Sequence, residues 1–143
     1  MPYGLPDEPS PHLQRKIAEV QRYLEGSIDR DVDLRTIAAQ ASLSPFYLTR
    51  VFTAYVGMPP YRYLIGLRMR RAAELLRETE LTITQICARV GFNSLSHFTT
   101  TFHNHTGFSP SNYRRRLDFE RNANRFGPKT DPLVHRPPSG SIF

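Results

Sequence analysis

The sequence predicts an all-α fold of two helix-turn-helix subdomains joined by a longer helix. Three observations carry that expectation: an internal repeat, apolar residues spaced by three and four, and capping residues ahead of each apolar stretch. Leu48, Phe52, Gly57, Pro60 and Tyr63 recur as Phe98, Phe102, Gly107, Pro110 and Tyr113, each fifty positions on. Upstream, Ile37/Ile86, Ala39/Ala88 and Leu43/Phe92 pair at an offset of forty-nine, so the second copy holds one residue more near Asn93. A repeat of this length marks a duplicated structural unit. Each copy reads as a short helix, a tight turn and a second helix opening at a Ser, the plan that delivers a helix to the major groove of DNA.

The elements follow in order. Pro2, Pro6, Pro9 and Pro11 disfavour helix over residues 1–11 and predict an extended arm. From His12 to Glu25, Leu13, Ile17, Val20 and Leu24 share one helix face, with Ser10 as cap, Pro11 in the first turn and Gly26 at the end. Asp33 caps a helix from Leu34 to Ala41. Ser44 and Pro45 open the next, which runs from Phe46 to about Val56 and stops near Gly57. These residues to position 60 form the first subdomain. The longest stretch, 61–78, turns Tyr61, Leu64, Ile65, Met69, Ala72, Leu75 and Leu76 inward and Arg62, Arg70, Arg71 and Arg77 outward, as a stiff connecting helix. The second subdomain, 79–116, opens with Thr82 capping Ile83 to Val90. A Gly91-Phe92-Asn93-Ser94 turn then leads into Leu95 to about His105, and Pro110 behind Ser109 starts a last helix through Arg114, Arg115 and Arg116. Residues 117–143 show little apolar periodicity and are expected to form a largely disordered tail.

Composition narrows the function. The chain has 143 residues, a net charge of +6 and a pI near 9.9, which favours an anionic partner such as nucleic acid or an acidic membrane surface. Of its 19 cations 17 are Arg, the side chain suited to forked bonds with phosphate and guanine. No apolar run approaches the roughly 20 residues needed to span a bilayer. The proline-rich N-terminus lacks the charged-then-apolar pattern of a secretory signal, so a cytoplasmic protein without membrane contact is expected. A single Cys87 excludes an intramolecular disulfide framework and any multi-Cys zinc site, and no cofactor is implied.

With Leu48 and Phe52 buried, the first reading helix presents Phe46, Thr49, Arg50 and Thr53. Arg50 has two readings: a fork onto guanine O6 and N7, worth about 1–3 kcal/mol of discrimination, or a solvated surface charge. Phe46 suits a thymine methyl or a sugar edge. In the second copy, Phe98 and Phe102 inward leave Leu95, Ser96, Thr99, Thr100 and His103 outward, and no charged residue stands between Arg89 and Arg114. This head reads by apolar contact, hydroxyl hydrogen bonds and shape, or it is a polar surface without a ligand. Helix starts attract anions, so Ser44 and Ser94, with Arg62, Arg114 and Arg115, are the phosphate candidates. The run of three Arg also reads as a helix end complementing its dipole.

These residues resemble the DNA-binding domain of AraC/XylS-type transcription regulators. The resembling stretch runs from about His12 to Arg115. Its most specific part is Ile86-Cys-Ala-Arg-Val-Gly-Phe-Asn-Ser-Leu-Ser-His-Phe-Thr-Thr-Thr-Phe through Gly107-Phe-Ser-Pro-Ser-Asn-Tyr-Arg114, and Arg68, Ala72, Leu75 and Leu76 are similar to the family's connecting helix. The resemblance implies seven helices, with two reading helices in successive major grooves about 10 bp apart, and a monomer able to occupy an asymmetric double-stranded DNA site. It implies base-reading roles for Phe46, Thr49, Arg50, Leu95, Ser96, Thr99 and Thr100. The chain departs from the family where a basic residue often stands at Thr100 and Lys pairs near Thr53 and His103. It resembles small stand-alone members that lack an effector-sensing domain, unless the sequence is a fragment of a longer regulator. The segment from Leu117 reads either as a contact for RNA polymerase or another partner, or as an unstructured end.

Two other function classes compete with this reading. An enzyme is disfavoured because His97, His103 and His105 are the only His cluster, their spacing does not converge on a metal, and no Asp or Glu occurs from Ala88 to Leu117. Cys87, among Ile83, Ile86 and Val90, reads as a small core residue rather than a reactive thiol. No catalytic or metal-binding residue is therefore expected. The alternative to a DNA-reading regulator is a protein-interaction module with the same fold and weak or non-specific DNA binding.

Overall fold

A computed structural model describes residues 4–126 of the chain. Those residues form seven helices and no strand: α1 (Pro11–Glu25), α2 (Leu34–Gln40), α3 (Pro45–Val56), α4 (Pro60–Glu78), α5 (Ile83–Arg89), α6 (Leu95–Thr106) and α7 (Pro110–Phe126). They divide into two compact units, with the boundary inside α4 between Arg68 and Met69. Each expected helix is present, and the caps explain where each begins. Ser10, Ser44 and Ser94 hydroxyl oxygens accept from the backbone N–H groups of Leu13, Tyr47 and His97, and Asp33 accepts from Arg35 N–H. Thr82 and Gln85 satisfy each other's backbone donors reciprocally. Caps of this kind are worth about 1 kcal/mol each.

In the first unit, Ile17, Val20 and Leu24 of α1 pack with Ile37 and Ala38 of α2, Leu48 and Phe52 of α3 and Leu64 of α4. Leu24, Leu48 and Phe52 have no exposed surface, and full burial of each such side chain is worth about 1.5–3 kcal/mol. The second unit buries Met69, Ala72, Leu75 and Leu76 of α4, Ile86 and Cys87 of α5, and Phe98 and Phe102 of α6. There Phe92, Phe98, Phe102 and Tyr113 form a chain of ring contacts.

The two helix-turn-helix turns superpose in their hydrogen bonds at the offset of forty-nine seen in the sequence. Leu43 N–H donates to Ala38 C=O at 2.9 Å and Phe92 N–H to Cys87 C=O at 3.0 Å. Both turns need one left-handed residue, Ser42 at φ 57° in the first and Gly91 at φ 82° in the second. Only the second copy has the residue that adopts this conformation without steric cost.

Two expectations are corrected. Tyr61 is 58% exposed rather than inward. The fully buried Pro60 takes the inward position one turn ahead of Leu64, and a residue next to it points about 100° away around the helix. The last helix also continues past Arg116 to Phe126, so residues 117–126 are helix and not tail. Side chains without apolar periodicity hold this extension: Arg121 donates to the Arg77 carbonyl, Arg116 pairs with Glu120 at 3.5 Å, and Arg121 with Asp118 at 3.8 Å. The remainder of the expected tail, 127–143, and residues 1–3 of the arm lie outside the described residues.

The left-handed Ser42 yields a stability prediction. Ser42→Gly should raise the free energy of unfolding by up to about 1 kcal/mol, while Gly91→Ala should lower it by about 1–2 kcal/mol, because a Cβ in the left-handed region costs that much. Urea unfolding followed by circular dichroism measures both.

Candidate nucleic-acid interface

Each reading helix has one face committed to a core and the opposite face left to solvent. In α3, Leu48, Val51 and Phe52 are fully buried. Phe46 is 78% exposed, Arg50 and Thr53 are exposed, and Thr49 is half-buried between them. In α6, Phe98 and Phe102 are fully buried and Leu95 is 44% exposed. Ser96, Thr100 and His103 are exposed, with Thr99 half-buried. The base-reading candidates therefore gather on one outward face of each helix, within their own unit. The two faces differ in chemistry at equivalent positions: Phe46 corresponds to Ser96, Arg50 to Thr100 and Thr53 to His103.

The exposed rings and hydroxyls offer apolar surface and neutral hydrogen bonds, and Arg50 offers a planar set of donors. Ser44 and Ser94 use their oxygens as helix caps, yet a hydroxyl that accepts still carries a proton to donate. Arg62 is exposed at the start of α4. Arg115 is exposed in the first turns of α7 and bonds Asn112 Oδ1 at 3.2 Å.

Arg114, the remaining phosphate candidate, is engaged within the fold. Its guanidinium turns into the second unit and donates to the carbonyls of Leu76 at 3.2 Å, Thr79 at 3.1 Å, Leu75 at 3.5 Å and Leu81. These carbonyls lie in the last turn of α4 and beyond it, where a helix leaves acceptors without N–H partners; the Leu75 carbonyl also accepts from Thr79 N–H and the Thr79 hydroxyl. The first unit has a parallel device. Arg68, buried, donates through Nε to Ile28 C=O at 3.0 Å and through Nη2 to Arg30 C=O at 2.7 Å. Burial pushes its pKa below the ordinary arginine value, while Tyr61 and Asp31 raise it.

The His residues of α6 do not converge. His97 packs edgewise on Phe92 at 5.1 Å, and among the described residues no group of three His, Cys, Asp or Glu is placed to hold a metal. Cys87 is buried with its Sγ 3.7 Å from the Phe92 carbonyl, and burial pushes the thiol pKa up. Among the described residues no helix is long and apolar enough to cross a membrane.

Sequence reasoning missed one neighbour of this surface. Leu5, Pro6 and Asp7 of the arm line a groove of about 750 Å³ together with Phe46, Thr49, Arg50 and Thr53. The Asp7-Glu8 pair in an otherwise basic chain was the available signal.

The family described as helix-turn-helix domain matches residues 37–116, spanning both copies of the repeat. The chain belongs to the AraC-type helix-turn-helix family. It is similar to the HTH-type transcriptional activator RhaS of Shigella boydii serotype 18, at 38% identity over 96 residues, which are 67% of this chain and 34% of the relative. The chain thus spans about a third of the length of the curated relatives it matches. The crystal structure of an AraC-type regulator from Chromobacterium violaceum superposes with a TM-score of 0.68 at 32% identity, covering 76% of this chain and 96% of that one. The DNA-binding domain of AdpA, solved in complex with a target DNA, superposes with a TM-score of 0.71 at 28% identity, over 75% of this chain and 96% of that one. The AraC-type assignment makes this chain a transcription-regulator DNA-binding domain and not an enzyme.

For this AraC-type domain the inward Arg114 predicts a structural phenotype. Arg114→Ala should destabilise the fold by about 2–4 kcal/mol, because several carbonyls lose charged donors at once. Arg114→Lys should recover less than half of that, since one ammonium does not reproduce the planar fork. Thermal unfolding of both variants checks this. An unchanged melting temperature with a shallower salt dependence of DNA binding would make Arg114 a phosphate contact instead.

Proposed function

We propose that the chain is a sequence-specific regulator that reads double-stranded DNA with α3 and α6 in successive major grooves, binding as a monomer. The observation that carries this reading is the pair of repeat-related helices, each with an anchored face and an outward face of base-reading residue types. In α3, Arg50 forks onto a guanine, Phe46 packs on a thymine methyl or sugar, and Thr49 adds a hydroxyl contact. In α6, Leu95, Ser96, Thr99, Thr100 and His103 read by methyl contact, hydroxyl bonds and groove shape. Ser44, Ser94, Arg62 and Arg115 hold phosphates without carrying sequence information. RNA polymerase is the partner through which such a bound domain acts on transcription. The protein then works in the cytoplasm, on the nucleoid.

Unequal chemistry at the two heads implies an unequal division of labour. Arg50→Ala should weaken binding to the preferred site by about 1–3 kcal/mol and relax preference at one base pair. Site selection from random DNA, followed by fluorescence anisotropy on the selected duplex, measures both. Equal losses on selected and random DNA would make Arg50 a phosphate contact.

Two-headed binding also depends on helical phase. Inserting about 5 bp between the half-sites turns one of them to the opposite face of the duplex, so affinity should fall to that of a single half-site. Retention of full affinity would mean that one head alone binds. The uncharged α6 face favours a second reading, a protein-interaction module. DNA binding that does not weaken as salt rises would support that module, because phosphate neutralisation releases counterions.

A further inference from the structure

We propose that residues 5–8 form an autoinhibitory strap beside the first reading helix, bordering its outward face, which DNA must displace before α3 can enter the major groove. The proposal rests on the reading of α3 as a DNA-reading helix. The strap is fixed at two points. At its root, Gln14 Nε2 donates to the Pro9 carbonyl at 3.0 Å, just ahead of the Ser10 cap of α1. Further out, the Tyr55 hydroxyl donates to the Pro6 carbonyl at 2.8 Å. Tyr55 belongs to α3 itself, so the anchor ties the strap to the helix it flanks. Leu5, half-buried, and Asp7 then line one groove with Phe46, Thr49, Arg50 and Thr53. Pro6 and Pro9 restrict the segment to extended conformers, which lowers the entropy lost on docking.

Geometry and charge both make the docked strap incompatible with DNA. The major groove is about 12 Å wide, and a helix with its side chains already fills about 10–12 Å. No space remains at base depth for a second chain segment along the outward face of α3. Asp7 and Glu8 are the ionisable residues of segment 4–10, both exposed and both acidic, so they oppose phosphates where a DNA-binding surface needs cations. The strap flanks the head that carries Arg50, across the groove it shares with Phe46, Thr49 and Thr53. The apparent dissociation constant for DNA is then the intrinsic one divided by the fraction of molecules with the strap released.

The test uses the full chain and Tyr55→Phe, which keeps the ring packed, changes no charge and removes only the hydroxyl donor to Pro6. Affinity is measured by anisotropy on a duplex selected by the wild-type protein, and nuclear Overhauser contacts between the residue-55 ring and Pro6 are followed with and without that duplex. Loss of one neutral hydrogen bond in the closed form should tighten DNA binding about threefold to tenfold without altering base preference. The ring-to-Pro6 contacts of the wild type should vanish when the duplex is added. Asp7→Asn combined with Glu8→Gln should tighten binding further and steepen its salt dependence, because two charges that oppose the phosphates are gone. Unchanged or weaker binding by Tyr55→Phe, or contacts that persist in the complex, overturns the strap. Failure of the wild type to bind any duplex overturns the DNA reading itself, and shows before any variant is made.

Discussion

An aromatic ring on each reading helix meets, edge to face, a tyrosine on the helix that follows, and the rest of each unit is arranged around that contact. Phe52 meets Tyr63 at 5.5 Å and 81°, and Phe102 meets Tyr113 at 5.3 Å and 84°. Such a pair adds about 0.5–1.5 kcal/mol beyond the area it buries. Its larger consequence is orientational, because a helix with one face locked has no freedom left to rotate about its axis. Once Leu48 and Phe52 point inward, positions 46, 49, 50 and 53 must point out at about 100° per residue. The left-handed ends at Gly57 and Gly107 turn the chain so that the tyrosine arrives on the correct side.

The duplicated clasp presents two different surfaces. The anchors of the two reading helices stay large and apolar between copies, Leu48 to Phe98 and Phe52 to Phe102, because each must fill a core. The outward residues are under no such constraint and have diverged to Arg50 against Thr100 and Phe46 against Ser96. Divergence at outward positions over a kept aromatic and aliphatic anchor is what a shared scaffold with separate recognition tasks produces.

Much of this was legible in the sequence, for reasons that differ by element. Ser10, Asp33, Ser44, Thr82 and Ser94 announce their helices because an oxygen at the cap satisfies a donor that nothing else reaches. The base-reading candidates were legible because they follow from the buried face by rotation alone. The extension of α7 was hidden because charged side chains support it, Arg121 on the Arg77 carbonyl above all, and such support leaves no apolar period. The placement of Leu5, Pro6 and Asp7 beside α3 was hidden as well. It depends on one hydrogen bond between residues 49 apart, and extended segments carry no period to betray their partner.

The arginines show where pattern reading stops and the repeat itself still informs. Local sequence treats Arg114, Arg115 and Arg116 as one basic run, yet their surroundings diverge. Arg114 serves carbonyls around the end of α4, Arg115 faces solvent, and Arg116 lies over the Phe108 ring at 5.1 Å. The fifty-residue offset pairs Arg114 with Leu64, which is 1% exposed, so the first copy marks position 114 as inward. An inward site that holds leucine in one copy and arginine in the other is stable only if the guanidinium finds acceptors for its donors. The C-terminal end of α4 supplies them in the second unit, together with the negative end of the helix dipole. Net positive charge therefore combines cations spent on the fold with cations offered to a partner, and burial, more than count or spacing, separates the two.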